Sequence, residues 1–91
     1  LIISETAFWY LPPSMSKAKK TRFELAVIDR VTAKRRQLGW TQEYLAEVLG
    51  LSQSFVGQIE SPSSPSKYNL NHLNTLAREM ECSPREFLPD G

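Results

Sequence analysis

The stretch that most constrains the fold of this chain reads WTQEYLAEVLGLSQSFVGQIE. Thr41 predicts an N-cap, and Gln42–Leu49 predicts about two turns of helix whose apolar side chains share one face. Gly50 predicts the left-handed residue that ends this helix, and Ser52 predicts the cap of a second helix over Gln53–Glu60. Two helices joined by so short a turn are typical of a helix-turn-helix unit, in which they cross at about 90–120°.

The second of these helices has a polar outer face. Its inward positions are Val56 and Ile59, and the residues expected to face outward are Gln53, Ser54, Gly57 and Gln58. A glutamine can bridge two atoms of an adenine edge in the major groove, and a recognition helix enters that groove by its N-terminal end. The pattern therefore favours base reading by this face; the alternative is an ordinary solvated helix face.

The rest of the domain also reads as helical. The other expected helices are Phe23–Leu38, ended by Gly39; one capped by Asn69 or Asn71 that runs to about Glu81; and a short fifth helix opened by the capping box Ser83–Glu86. Residues 61–67 form a loop by composition. The side chains expected to be buried in these three helices are Phe23, Val27, Ile28, Val31 and Leu38; Leu70, Leu73, Leu76, Ala77 and Met80; and Phe87 and Leu88. The sequence thus predicts an all-α fold of five helices.

These residues resemble one known family, the phage-repressor and Cro-type (lambda-repressor-like, or XRE) DNA-binding domains. The resemblance is carried by the motif QExLAxxLGLSQSxVxxIE, which begins at Gln42, and it extends from Ile28 to about Leu88. One helix precedes the motif and two follow it, as in the family. The resemblance implies a compact five-helix domain over residues 23–91, preceded by an N-terminal extended or disordered arm over residues 1–22.

The resemblance also implies which residues contact DNA. The base-reading positions of the family fall on Gln53, Ser54 and Gln58. Phe55 departs from the small hydroxyl residue common in the family, and two readings stay open: it touches a thymine methyl, or it folds back on the scaffold. The glutamine that opens the helix ahead of the recognition helix, here Gln42, binds a phosphate in the family and supports Gln53. Further phosphate contacts are expected from Thr41, Lys34 and Arg36, and from Ser64, Lys67 and Tyr68 in the loop; for Lys34 and Arg36 a solvated face is an equal alternative.

One ion pair is expected behind the recognition helix. In the family, the arginine four residues before the glycine that ends the helix ahead of the motif, here Gly39, pairs with the glutamate that ends the recognition helix. These positions are Arg35 and Glu60 here. The resemblance therefore implies a structural pair that fixes the recognition helix against the first helix, and a phosphate contact by Arg35 is the lesser reading.

The N-terminal residues form two blocks of different composition. Residues 1–13 are apolar and β-prone, and residues 16–22 carry four cations. Two readings of the first block stay open: a remnant of cloning or read-through ahead of a native sequence that starts near Met15, or an extended arm that pairs as a β-strand with a neighbour through Trp9 and Tyr10. The basic block is either a solvated leader or an arm that touches phosphates.

Composition argues against several other classes of protein. The chain has 91 residues, of which 41% are apolar and 23% charged, and this fits one small soluble domain. The net charge is only +1, so a basic DNA-binding surface must be local. Cys82 is the single cysteine and His72 the single histidine, so we expect no disulfide, metal site, cofactor or catalytic constellation, and no enzyme. No apolar run approaches the ~20 residues of a membrane span, and the N-terminus lacks the basic region of a secretory signal, so a cytoplasmic location is expected.

The predicted function is sequence-specific binding of double-stranded DNA by a transcription regulator, most simply a repressor. A homodimer is expected, because a helix-turn-helix monomer touches few base pairs and a dimer doubles the site over two half-sites about one turn apart. The alternative is an antitoxin or adaptor module that acts mainly by binding a protein partner, such as a toxin or an antirepressor. The apolar segment Leu1–Leu11 is the feature that favours this alternative.

Overall fold

Residues 20–90 are described by the computed structural model. Over this range the chain forms four α-helices and one 3₁₀-helix, with no strand: α1 Arg22–Gln37, α2 Gln42–Leu49, α3 Gln53–Glu60, α4 Leu70–Glu79 and the 3₁₀-helix Pro84–Phe87. The all-α fold class is confirmed for this range. The expectations for Trp9 and Tyr10, and for most of the basic block, lie outside the described residues.

Helix α1 begins one residue earlier than the sequence pattern predicts, because Thr21 caps it. Thr21 Oγ1 accepts a hydrogen bond from the Glu24 N–H at 3.1 Å, and the Thr21 N–H donates to Glu24 Oε1 at 2.9 Å. This reciprocal pair is a capping box. At the other end of the helix, Gly39 takes a φ of 76°, as expected for the residue that ends it. Thr21 and Arg22, which composition assigns to the basic block, are therefore the cap and first residue of α1.

Helices α2 and α3 have the predicted bounds and the predicted caps. Thr41 Oγ1 accepts from the Tyr44 N–H at 3.0 Å, and Ser52 Oγ accepts from the Phe55 N–H at 3.1 Å. Between the helices, Gly50 has a φ of 71°, a left-handed conformation that a residue with a Cβ would adopt only with strain. The caps and this glycine fix the path of the turn, and so fix how α3 leaves α2.

The core lies behind α3, where the helices meet. Helix α3 packs against α2 and α1, α4 packs against α2, and the 3₁₀-helix packs against α4 and α1. The buried apolar side chains are Val27, Ile28, Val31, Leu45, Ala46, Val56, Ile59, Tyr68, Leu73, Leu76, Ala77, Met80 and Phe87. Val56 and Ile59 have no exposed surface, and burying each contributes about 1.5–3 kcal/mol. Helix α3 is therefore anchored by one face.

The prediction of burial is wrong for four apolar side chains, which are exposed. Phe23, Leu38, Leu70 and Leu88 expose 44, 44, 81 and 42% of their surface. Phe23 and Leu70 stand in the first turns of α1 and α4, and Leu38 and Leu88 follow the last turns of α1 and the 3₁₀-helix. The helical period is right, but the apolar stripe extends past the point where a packed neighbour covers it.

Helix α4 is capped by Asn69, one of the two asparagines that the sequence offered. Asn69 Oδ1 accepts from the His72 N–H at 2.7 Å, and the Asn69 N–H donates to His72 Nδ1 at 3.1 Å. This second bond requires the neutral imidazole, and burial lowers the pKa of His72, which favours the same form. His72 is therefore half-buried and part of a cap, not simply exposed. The helix ends at Glu79, two residues short of its predicted end.

The last element is tighter than predicted. The sequence predicts a fifth α-helix with a capping box, but residues 84–87 form a 3₁₀-helix. Ser83 Oγ accepts from the Arg85 N–H at 3.3 Å, and the Glu86 N–H donates to the Ser83 carbonyl at 3.0 Å. A bond that spans three residues closes a 3₁₀ turn and takes up the N–H that a capping box would use. Phe87, which is 1% exposed, still closes the core as expected.

Candidate nucleic-acid interface

The outer face of α3 is polar, and its inner face is buried. Gln53, Ser54 and Gln58 are exposed, whereas Val56 and Ile59 have no exposed surface. Ser52 caps the end of α3 that carries Gln53 and Ser54. The structure therefore gives the three predicted base-reading residues one exposed, polar helix face.

Gly57 lies on the α2 side of that outer face and is more covered than the sequence pattern predicts. The residue is half-buried, and a Cβ built on it would lie 3.8 Å from Gln42 Oε1. Gly57 therefore faces the beginning of α2, where its missing side chain leaves room for Gln42. The Gln42 Nε2 donates to Glu60 Oε1 at 2.9 Å. The resemblance implies support of Gln53 by Gln42, but the structure joins Gln42 to the last residue of α3.

The back of α3 is fixed by a buried polar cluster centred on Glu60. The Arg35 Nε donates to Glu60 Oε2 at 2.8 Å, and Nη2 donates to Oε1 at 3.0 Å. The remaining terminal nitrogen, Nη1, donates to the Trp40 carbonyl at 2.8 Å. The side chains of Arg35 and Glu60 are only 9% and 8% exposed. Both carboxylate oxygens and all three guanidinium nitrogens thus have partners, which a buried charge pair requires.

The beginnings of α2 and α3 open onto one shallow groove of about 590 Å³. The residues that line it are Thr41, Glu43, Tyr44, Ala46, Glu47, Leu51 and Gln53. The first N–H groups of a helix lack intrahelical partners and favour anions. Glu43 and Glu47 oppose this preference because their carboxylates repel a phosphate. The groove therefore combines one predicted phosphate contact, Thr41, with one predicted base contact, Gln53.

Lys20 binds the C-terminal end of α3. The sequence pattern assigned this residue to the basic block, read as either a solvated leader or an arm that touches phosphates. The Nζ of Lys20 donates to the carbonyls of Ile59 and Ser61, each at 2.6 Å, and lies 3.4 Å from that of Gln58. Lys20 is 6% exposed. Burial lowers the pKa of its ammonium group, and the nearby Glu24 carboxylate opposes that shift. Lys20 is therefore part of the packed domain.

The loop after α3 folds back toward the helix. The Ser66 hydroxyl donates to Gln58 Oε1 at 3.3 Å, and Ser64 Oγ accepts from the Ser66 N–H at 3.2 Å. The Lys67 ammonium group lies 2.6 Å from Glu24 Oε2, with 51% of the lysine side chain exposed. This cation is thus shared between an ion pair with α1 and solvent.

The predicted phosphate contact by Tyr68 is wrong, because this residue is buried. The residue is 9% exposed, and its hydroxyl is buried with no hydrogen-bond partner among the described residues. Burial raises the pKa of this phenol, and the Glu60 carboxylate raises it further. A hydroxyl enclosed in this way cannot reach a phosphate, so Tyr68 is a core residue.

The three cations in the last turn of α1, Lys34, Arg35 and Arg36, lie on different sides of the helix. Lys34 lies 3.7 Å from Glu86 Oε1, on the side of α1 that packs against the 3₁₀-helix. Arg36 is exposed, and Arg35 is buried against Glu60. Three adjacent cations therefore have three different surroundings, which a helical period of 3.6 residues produces.

Two aromatic residues near the helix-turn-helix unit pack on the scaffold. Phe55 is half-buried and packs against the core, which favours the second of the two readings left open for it. Trp40 also packs against the core and meets the Tyr44 ring edge-on at 4.8 Å. Both rings therefore stabilise the unit from within.

The described part of the chain has neither a metal-binding cluster nor a membrane-spanning helix. Between residues 20 and 90, no three His, Cys, Asp or Glu side chains are grouped to hold a metal ion. The same range has no helix with the length and apolar character needed to cross a membrane. The Cys82 thiol is half-buried, and burial raises its pKa, as does the Glu86 carboxylate. A thiol kept protonated in this way is a weak nucleophile.

Sequence reasoning missed two features of this site. The Thr21-x-x-Glu24 spacing is a capping-box signal, and it would have placed Lys20 directly before a helix. No local signal could have revealed the bond from Lys20 to the end of α3, because the two lie about 40 positions apart. Nor does any local pattern show that Gln42 would reach Glu60 across Gly57.

Comparison with known proteins agrees with this architecture. A helix-turn-helix family model matches residues 31–87, which is more than half of the chain and includes the whole of α2 and α3. Comparison with curated proteins and with solved structures gives no match. The fold, the turn geometry and this match agree: the chain belongs to the XRE, or lambda-repressor-like, family of helix-turn-helix domains, a family of DNA-binding transcription regulators.

Proposed function

We propose that this protein binds a specific double-stranded DNA sequence as a homodimer and represses transcription by occupying it. The observation that carries the proposal is the polar face of α3, whose opposite face is locked to the core and to the Arg35–Glu60 pair. Hydrogen bonds weaken steeply when distance and angle are wrong. A rigidly mounted helix can therefore discriminate between base edges.

In this proposal the bases are read by Gln53, Ser54 and Gln58. A glutamine amide carries both a donor and an acceptor, which match N7 and N6 of adenine. Gln58 would exchange its exposed bond with the Ser66 hydroxyl for a base edge, at small cost because both groups already face solvent. Phe55 supports the helix from the core and takes no part in reading.

Phosphates are held at the beginning of α2. The Thr41 Oγ1 accepts from the Tyr44 N–H, which leaves its own proton to donate. Gln42 contributes its backbone N–H, because its side-chain amide is engaged by Glu60. Arg36 adds an exposed cation. Lys67 and Lys34 each pair with a carboxylate, and Lys34 is the weaker candidate because its side chain is 26% exposed against 51% for Lys67. Ser64 is also a weaker candidate, because it is half-buried and its Oγ already accepts from the Ser66 N–H.

A dimer and a repressing role follow from the size of the reading surface. One α3 presents three reading residues, which specify only a few base pairs. Two copies related by a two-fold axis read two half-sites about one helical turn apart. Repression needs nothing beyond occupancy of such a site, so it is the simplest regulatory outcome.

Selection of bound sequences from a random duplex library tests the proposal. We expect a two-fold symmetric consensus with half-sites about 10 base pairs apart, and sedimentation of the complex as two chains per duplex. A selected pool that does not differ from the input pool would overturn sequence-specific reading. A consensus of one half-site bound by one chain would overturn the dimer and leave the reading surface intact.

A specific surface feature favours the second candidate, an antitoxin or adaptor that acts through a protein partner. Exposed Phe23, Leu70 and Leu88 surround an apolar groove of about 230 Å³ between α1 and α4. Large exposed apolar surfaces often mark binding sites for proteins. Binding to random duplex DNA distinguishes the two functions: a DNA regulator binds it with an affinity that falls as salt rises, and a pure adaptor does not bind it.

A further inference from the structure

Lys20 forms a long-range contact with the main chain of α3. Its ammonium group reaches three carbonyl oxygens at the end of that helix, those of Gln58, Ile59 and Ser61. The last carbonyls of a helix have no intrahelical donor and carry the negative end of the helix dipole. The Gln58 carbonyl already accepts from the Ser61 N–H, so Lys20 supplies the missing donor chiefly to Ile59 and Ser61, together with the favourable charge.

A second cation binds the same turn of α3 from the other end of α1. Lys20 stands two residues before α1 begins, and Arg35 lies in its last turn. Arg35 binds the side chain of Glu60, whereas Lys20 binds the backbone on either side of that residue. Core packing of Val56 and Ile59 holds one face of α3. The two cations add attachments to its last turn from opposite ends of α1, and so help to set the direction of α3.

We propose that Lys20 is a positioning residue for DNA recognition: it fixes the end of α3, so that Gln53 and Gln58 meet base edges in register. This inference rests on the proposed function. It differs from the reading in which the basic leader touches phosphates, because the Lys20 ammonium group is already bound and the residue is 6% exposed. The two roles make different predictions about salt.

The test compares wild-type protein with the Lys20→Met variant, which keeps the aliphatic stem and removes the ammonium group. Affinities for the selected duplex and for random duplex are measured over a range of salt, at a temperature where circular dichroism shows both proteins fully folded. We expect about a tenfold or greater loss of affinity for the selected duplex. The affinity for random duplex and the salt slope should stay unchanged, because no phosphate contact is lost.

Arg78→Met serves as the control for removal of one positive charge. Arg78 is exposed in the last turn of α4, and it is proposed neither to position α3 nor to contact a phosphate. A Lys20→Met salt slope shallower by about 0.9, with both duplexes weakened alike, would make Lys20 a phosphate contact and overturn the inference. Unchanged affinities for both duplexes would make it purely structural and also overturn it. Wild-type protein that selects no sequence overturns the proposed function first.

Amide hydrogen exchange gives a readout that needs no DNA. In Lys20→Met, and in the milder Lys20→Gln, we expect faster exchange for amides of the last turn of α3, including the Ser61 N–H that donates to the Gln58 carbonyl. Exchange in the middle of α4 should not change. If amides in the last turn of α3 exchanged at the wild-type rate, as those of α4 should, Lys20 would not fix the end of α3. This measurement can be made even if Lys20→Met proves too unstable for binding measurements.

Discussion

Arg35 and Glu60 form a two-bond ion pair that is more than nine-tenths buried, with distances of 2.8 Å and 3.0 Å. Glu60 is the last residue of α3, and Arg35 lies in the last turn of α1. The pair therefore connects α3, the helix proposed to read DNA, to the longest helix of the described domain. Its burial decides its energetic role, because removing one partner strands the other charge away from water.

We expect Arg35→Ala and Glu60→Ala each to lower the free energy of unfolding by about 3–5 kcal/mol. The double variant should lose less than the sum of the two, because it leaves no stranded charge. Thermal or denaturant unfolding of all four proteins measures this coupling. Lys67→Ala is the matched control: its ion pair with Glu24 is exposed, so its loss should cost only ~0–1 kcal/mol. Strictly additive losses would show that the Arg35–Glu60 contact carries no coupling energy.

Gln53→Ala and Gln58→Ala should each weaken binding to the selected duplex by about 1–3 kcal/mol while leaving the unfolding temperature nearly unchanged. The reason is that each removes an exposed amide proposed to bond a base edge. Binding is measured against duplexes substituted at single base pairs. Asn71→Ala removes an exposed amide from the start of α4 and should leave affinity unchanged. Variants that keep the wild-type order of preference among the substituted duplexes would rule out base reading by these glutamines.

Gly57→Ala should stabilise the protein by up to ~1 kcal/mol, because alanine is the better helix former. The new methyl group would lie 3.8 Å from Gln42 Oε1, which is an ordinary contact distance. DNA affinity should stay nearly unchanged, since the Gln42 side chain already lies over this position. Gly50→Ala is the contrasting control and should destabilise by about 1–2 kcal/mol, because its φ of 71° is left-handed. A loss of stability in Gly57→Ala would contradict the free space that the structure shows between this position and Gln42.

The stability of the domain should fall as pH drops below about 6.5, partly through His72. Burial lowers the pKa of this imidazole in the folded state, so the unfolded chain binds its proton first. Protonation also removes the acceptor for the Asn69 N–H. His72→Gln keeps a capping-box acceptor and should flatten the dependence of unfolding free energy on pH in this window. An unchanged dependence would show that His72 does not contribute to it.

Glu24 should act in a separate, more acidic window. The hydrogen bond from Lys67 and the bonds with Thr21 lower the pKa of the Glu24 carboxyl from its ordinary value of 4.5. Its contribution to stability is therefore complete above that value and is lost as pH falls below it. Glu24→Gln should remove this acidic step from the curve of unfolding free energy against pH. It should leave the His72 step in place, and loss of both steps together would contradict the assignment.

The sequence by itself determined the elements whose signals are local. Thr41, Ser52 and Gly50 act within one helical turn of their own positions, because a cap bonds an N–H three residues away and a left-handed residue changes only its own backbone. The bounds of α2 and α3 follow from these three residues. The buried pattern within α3 follows from its period, which puts Val56 and Ile59 on one face and Gln53 on the other.

Only the tertiary structure decided which side chains are covered by a neighbouring element. Phe23 and Leu70 continue apolar stripes correctly yet lie exposed, since no packed element within residues 20–90 covers those helix ends. Tyr68 and Lys20 look like surface residues in the sequence and are buried, because the loop after α3 folds back on the domain and Lys20 bonds the end of α3. Burial and long-range hydrogen bonds depend on residues about 40 positions apart being brought together, and no period or cap encodes that distance.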